Sequence, residues 1–174
     1  TCLEHNSVLR PLYHLNQQGL ISLTIVYPKD GNYINAIKNA INDKTYMIIT
    51  TSISNVTGEI LPIDEIASLA KEKNLLYLVD GAQGGGHVSI KCNNGISMLA
   101  LAGHKGLYGI MGSGALVLSD DVEVSPLTFG GTGTETFNEN QPENYPEKLE
   151  SNNDDNNYRN YGNSYKFFWI ICFF

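Results

Sequence analysis

The sequence predicts an α/β domain over residues 1–150, a three-layer α/β/α arrangement around a mostly parallel sheet. Short apolar runs of strand length alternate along the chain with stretches of helical period. Several of those runs are apolar on both faces, as strands are when helices cover a parallel sheet from either side. Composition agrees: 42% of the 174 residues are hydrophobic, enough for the core of one ordinary domain.

Asn6 to Asn16 reads as a helix, with Val8, Leu9, Leu12 and Leu15 on one face and Pro11 near its start. Gly19 ends it. Ile21 to Val26 is short and β-branched, the pattern of a strand, and Pro28-Lys29-Asp30-Gly31 is a turn. Tyr33 to Ile41 carries apolar residues at helical spacing, and Thr45 to Thr51 reads as a buried strand. After the polar loop Ser52 to Gly58, Pro62-Ile63-Asp64-Glu65 opens a helix through Lys73, with Ile63, Ile66, Ala67 and Ala70 facing inward. Leu75 to Val79 is an apolar strand ending at Asp80, and further strands are expected at Met98 to Ala102 and Gly114 to Leu118.

Residues 151–174 differ from all of this. The chain has 10 Tyr, 6 Phe and 1 Trp, and eight of these aromatics lie after Glu150, among six asparagines. Asp154, Asp155, Arg159 and Lys166 cancel there, so the net charge of −7 belongs to residues 1–150. Ser151 to Ser164 lacks any period and is expected to be loop or disordered. Phe167 to Phe174 is an apolar run with the composition of a self-associating strand. Residues 151–174 are therefore expected to be a tail foreign to the domain, of the kind a frameshift produces.

Several function classes fall away. A surface with 18 acidic against 11 basic residues repels phosphate backbones and anionic lipid, so no nucleic-acid or membrane partner is expected. No apolar run nears the roughly 20 residues of a membrane-spanning helix. Cys2, Cys92 and Cys172 lie too far apart for a zinc motif or a dense disulfide framework, so no metal is expected. No secretory leader is visible at the start, and the reading is cytoplasmic. A doubly wound nucleotide binder is disfavoured, because no G-x-G-x-x-G follows the early strand and there is no Walker lysine.

In parallel sheets the binding crevice lies at the carboxyl ends of the strands, which selects the loop after Thr51, Asp80 to Gly86, and Gly103 to Gly114. Asp80 ends an apolar strand, where its carboxylate surfaces into the crevice. Asp-Gly is also a common turn pair, but Gly81, Gly84, Gly85 and Gly86 crowd the residue and suit close approach to a ligand. Lys105, in Gly103-His104-Lys105-Gly106, follows another apolar stretch. A lone lysine is usually a solvated surface charge, yet a desolvated one is a nucleophile that forms a Schiff base with an aldehyde. A Schiff-base lysine with an acid for a pyridinium nitrogen is the pairing of pyridoxal 5′-phosphate sites.

Glu4-His5-Asn6-Ser7, Ser54-Asn55-Val56-Thr57-Gly58, Val79-Asp80-Gly81-Ala82-Gln83 and Gly103-His104-Lys105-Gly106-Leu107-Tyr108-Gly109 follow one another in that order. Together with Gly130-Gly131-Thr132-Gly133 and Pro146-Glu147-Lys148-Leu149-Glu150, they resemble the class V aminotransferase family, within its cysteine desulfurase and selenocysteine lyase branch. The resemblance implies a pyridoxal-phosphate-dependent transferase or lyase acting on a cysteine-like amino acid as a homodimer. It implies that Lys105 holds the cofactor through a Schiff base and then moves the proton. Asp80 would pair with the pyridine nitrogen, Gln83 would bond the ring hydroxyl, and Asn55 would lie near that oxygen and the substrate carboxylate. His5 would stack on the ring and act as acid or base, although a histidine of this kind is ordinarily a satisfied surface residue; His104 would reach the phosphate. His14 and His87 match no motif and read as structural.

Ala102 stands where family members usually carry a serine or threonine that binds the phosphate. The family chain extends beyond both ends of the matched region, so residues 1–150 are expected to be a partial large domain. The carboxylate-binding arginine and the persulfide-forming cysteine would lie outside it, and none of Cys2, Cys92 or Cys172 matches the latter. The competing reading is a catalytically inactive remnant of the same family that retains only a folded core.

Overall fold

The computed structural model describes residues 1–131, 137–145, 147–149, 158–160 and 165–171. Its helices are α1 (Asn6–Gln17), α2 (Tyr33–Ala40) and α3 (Ile63–Glu72). Its strands are β1 (Met47–Thr51), β2 (Leu76–Asp80), β3 (Met98–Ala102), β4 (Ser113–Ser119), β5 (Tyr158–Asn160) and β6 (Tyr165–Ile171). They form one sheet in the order β1-β2-β3-β4-β6-β5. The strands β1, β2 and β3 are parallel, and β4, β6 and β5 add to them by antiparallel pairing. The chain has the α/β fold that the alternating pattern predicts.

The apolar alternation places two cores on the two faces of the sheet. Ile48, Tyr77, Val79, Leu99 and Val117 point to one face, against Tyr33 and Ile37 of α2 and Ile63, Ile66, Ala67 and Ala70 of α3. Met98 and Leu118 point to the other, packed with Leu76, Leu78 and Leu116 beneath Val122, Val124, Tyr145 and Leu149. That second face is closed by the segment after β4 rather than by a long helix. Within the first core the fully buried Tyr77 hydroxyl bonds Thr50 Oγ1 at 2.7 Å, so each satisfies the other away from water.

One expected strand is absent. Ile21 to Val26 is not a strand, because it has no ladder partner: Thr1 and Cys2 lie between it and β1. The Thr1 amino group donates to Ile49 O of β1 at 3.4 Å, and Cys2 N–H donates to Val26 O at 3.0 Å. Leu23 N–H is taken instead by the Asn16 side chain at 3.0 Å. Two residues of contact satisfy single groups and cannot order a strand.

The tail also differs from expectation where it is described. Tyr158–Asn160, within the stretch expected to be loop, is strand β5, and the apolar run begins its strand at Tyr165. All seven residues of β4 are paired with β6, from Ser113 with Ile171 to Ser119 with Tyr165. Residues 132 and 133 of the second glycine motif, Pro146, Glu150, residues 151–157 and 161–164, and Cys172 to Phe174 lie outside the described residues.

Candidate active site

Parallel pairing brings the carboxyl ends of β1, β2 and β3 to one edge. Thr51, Asp80 and Ala100 are aligned there across the three strands. The loop after β1 carries Asn55, the loop after β2 carries Gln83, and the hairpin between β3 and β4 carries His104 and Lys105. Five of the six expected site residues therefore lie on this edge or in the loops leaving it. His5 belongs to a different element, the head of α1.

Asp80 is 8% exposed. Its backbone is the best anchored at the edge: its carbonyl accepts from Ser52 N–H at 2.8 Å and from Ser52 Oγ at 3.0 Å. Gly81 N–H is donated to Ala100 O at 2.8 Å. One carboxylate oxygen, Oδ1, accepts from Ala82 N–H at 2.9 Å, which is the ordinary Asx turn of an Asp-Gly pair. The other oxygen has no hydrogen-bond partner among the described residues. The turn reading holds for one oxygen, and the other is available to the functional reading. Ser52, fully buried, is a residue that sequence reasoning missed. Its only signal was a hydroxyl run, Thr50-Thr51-Ser52, at the end of an apolar strand.

Lys105 is half-buried in a tight loop. Tyr108 N–H donates to its carbonyl at 2.9 Å, and Gly109 N–H donates back to Gly103 O at 2.7 Å. Tyr108 takes a left-handed φ of 55°, an uncommon conformation for an aromatic residue, as the loop turns around the lysine. The ammonium group makes no ion pair or hydrogen bond among the described residues. The same holds for the side-chain amides of half-buried Gln83 and exposed Asn55, and for the exposed ring of His104.

The glycines also have a packing purpose within the protein. A Cβ on Gly81 would lie 2.8 Å from the Leu99 side chain, one on Gly84 would strike Ser52, and one on Gly85 would lie 2.9 Å from Leu101. A Cβ on Gly86, whose φ is +83°, would strike the Gly106 carbonyl, and one on Gly106 would meet the His87 ring at 2.7 Å. The crowding of glycines lets the Asp80 and Lys105 loops touch backbone to backbone, so it sets the distance between the two loops. His87 has a packing role in that contact.

His5 caps α1. Its Nδ1 accepts from Ser7 N–H at 3.2 Å and lies 2.8 Å from Ser7 Oγ, so the exposed ring already has a structural task. Its neighbour Glu4 has a side chain only 2% exposed. Burial pushes the Glu4 carboxyl above its ordinary value, and the charge of Asp80 pushes it further, while the Thr1 amino group and hydroxyl pull it back.

The donor set fits pyridoxal phosphate. A carboxylate oxygen, a primary amine, two amides and an imidazole, all without hydrogen-bond partners among the described residues, lie on this edge or in the loops leaving it, and these are the kinds of group that a pyridine nitrogen, an aldehyde, a ring hydroxyl and a phosphate require. Among the described residues no group of three His, Cys, Asp or Glu side chains could hold a metal ion, and no helix is long and apolar enough to cross a membrane.

Residues 1–153 match the family model for class-V aminotransferases. The chain belongs to that family. It is similar to the cysteine desulfurase IscS of Rickettsia prowazekii, 37% identical over 133 residues that cover 74% of this chain and 32% of the relative. Among solved structures it resembles SspA in complex with cysteine, at 30% identity and a TM-score of 0.66 over 74% of this chain and 38% of that one. DndA from Streptomyces lividans matches at 29% identity and a TM-score of 0.66, over 75% of this chain and 38% of its own. The chain spans about a third of the length of the curated relatives it matches.

Proposed function

We propose that this chain carries the cofactor-binding part of a pyridoxal-phosphate-dependent cysteine desulfurase, acting on L-cysteine or a close analogue. The observation that supports the reading best is the contact of two loops at the sheet edge: the loop that follows Asp80, with one carboxylate oxygen open, packs on the loop of Lys105, whose ammonium has no partner among the described residues.

Bound at this edge, pyridoxal phosphate supplies an aldehyde that condenses with amines and a ring that accepts the electron pair left at a substrate α-carbon. The open oxygen of Asp80 holds a proton on the ring nitrogen, and the Ser52 bonds to its carbonyl keep that oxygen in place. Lys105 Nζ would hold the cofactor through its aldehyde and, once displaced by the substrate amine, would take the proton from the substrate α-carbon. Gln83 and Asn55 donate to the ring oxygen, and Asn55 orients the substrate carboxylate. His104 bonds the phosphate, where Ala102 contributes no hydroxyl. His5 covers the ring face. The thiol that takes the sulfur is not assigned to any of the three cysteines.

The same reading makes the protein a cytoplasmic homodimer, which the family resemblance supports. The test is titration of the purified chain with pyridoxal phosphate while visible absorbance is followed. The expected result is a band that Lys105→Ala abolishes and Lys91→Ala leaves intact. A band of equal intensity in Lys105→Ala, or none in the wild type, contradicts the reading.

A further inference from the structure

Glu4 has no place among the six site residues, yet it is one of two carboxylates buried at this edge. Its Oε1 accepts from the Thr1 hydroxyl and lies 3.1 Å from the Thr1 nitrogen, which reaches Ile49 O of β1. Its Oε2 is buried without a hydrogen-bond partner among the described residues. A buried carboxylate oxygen left unsatisfied costs free energy, and its retention calls for a reason. The Thr1 nitrogen beside Glu4 reaches Ile49 O, which sets the carboxyl against β1, and the Glu4 charge acts on Asp80 and on the buried Tyr77 of β2.

The helix that starts immediately afterwards has little hold of its own. No residue of α1 is buried; Val8, Leu9, Leu12 and Leu15 are only half-covered. The head of that helix is His5. What attaches it to the body of the protein is the short run before it: Thr1 on β1, Cys2 on Val26, Leu3 against the first core, and Glu4.

We propose that Glu4 is a positioning residue: buried against β1, its side chain pins the head of α1 and so holds His5 at the edge that carries Asp80. Where it concerns cofactor binding, this rests on the function proposed above. Residues that act as one unit show non-additive effects, whereas independent contributions multiply.

The test compares Glu4→Ala, Glu4→Gln, His5→Ala and Glu4→Ala/His5→Ala in the full chain. Hydrogen exchange without cofactor is the first readout. Glu4→Ala is expected to lose protection in the α1 amides while β2 and β3 keep theirs. Glu4→Gln, which can still accept from the Thr1 hydroxyl, restores it. The second readout is pyridoxal-phosphate affinity: Glu4→Ala and His5→Ala are expected to weaken it by similar factors, and the double variant by no more than either. Unchanged α1 protection in Glu4→Ala, or equal loss throughout the sheet, overturns the proposal, as do losses that multiply in the double variant. If the wild type takes up no pyridoxal phosphate, the function above fails, and the exchange result alone decides the role of Glu4.

Discussion

At the scale of single residues, Asp80 divides its carboxylate. Oδ1 closes the turn through Ala82 N–H, and the second oxygen has no hydrogen-bond partner among the described residues. In a complete chain with the proposed activity, replacing Asp80 with alanine is expected to cut cysteine turnover by on the order of 10²–10³-fold, the usual effect of removing one preorganised electrostatic partner. Cofactor stoichiometry should fall much less, because Lys105 still binds the aldehyde. Parallel losses of both, read from absorbance and alanine release, contradict the electron-sink role. Glu4 carries a pH dependence of known sign. Burial raises its folded value above the ordinary 4.5, so its contribution to stability is full below 4.5 and is lost as pH rises through the folded value. Urea midpoints against pH should show that decline in the wild type, and Glu4→Gln should flatten it. An identical slope in both proteins would assign the decline to other groups.

At the scale of elements, the loops after β2 and β3 are held at a fixed separation by glycine backbone. Gly86→Ala places a methyl on the Gly106 carbonyl at a φ of +83°, and overpacking with a strained backbone costs about 1–3 kcal/mol or more. Thermal melting should show the loss, and pyridoxal-phosphate affinity should fall with it; an unchanged melting temperature contradicts the close contact. These elements were legible to different degrees. Helix α3 and strands β2 and β3 could be read to within a residue or two, since their apolar spacing is dictated by two covered faces. Ile21 to Val26 has the same local pattern but no neighbour to pair with, and strand propensity depends on that neighbour. The glycines were visible, but their purpose was not, because a contact between two loops leaves no trace in either loop alone. Ser52 and Glu4 were hidden for the same reason: each is defined by what it touches across the sheet edge.

At the scale of the whole molecule, the parallel half of the sheet carries the candidate site and the antiparallel half extends the sheet. Strand β4 is paired along its length by β6, so a chain ending at Glu150 would expose its unpaired edge. Exposed edges recruit other strands, and such a chain should form higher-order species by light scattering at concentrations where the full chain does not. Equal scattering would mean that β6 gives no protection. The composition break at Glu150 was plain, but the pairing of the tail with the sheet was not, because a strand's partner is set by geometry and not by composition. At this scale order and spacing carried the candidate site: Asn55, Asp80 and Lys105 are far apart in sequence and come to one edge because three parallel strands end together.

The central claim is that Lys105 is the amine that holds pyridoxal phosphate. Incubation with the cofactor, reduction with borohydride and peptide mass spectrometry test it most directly, because reduction fixes a carbon–nitrogen bond wherever one has formed. The account predicts the reduced adduct on the peptide containing Lys105, in stoichiometric yield. Adduct spread over the surface lysines, or concentrated on a lysine other than Lys105, would contradict it.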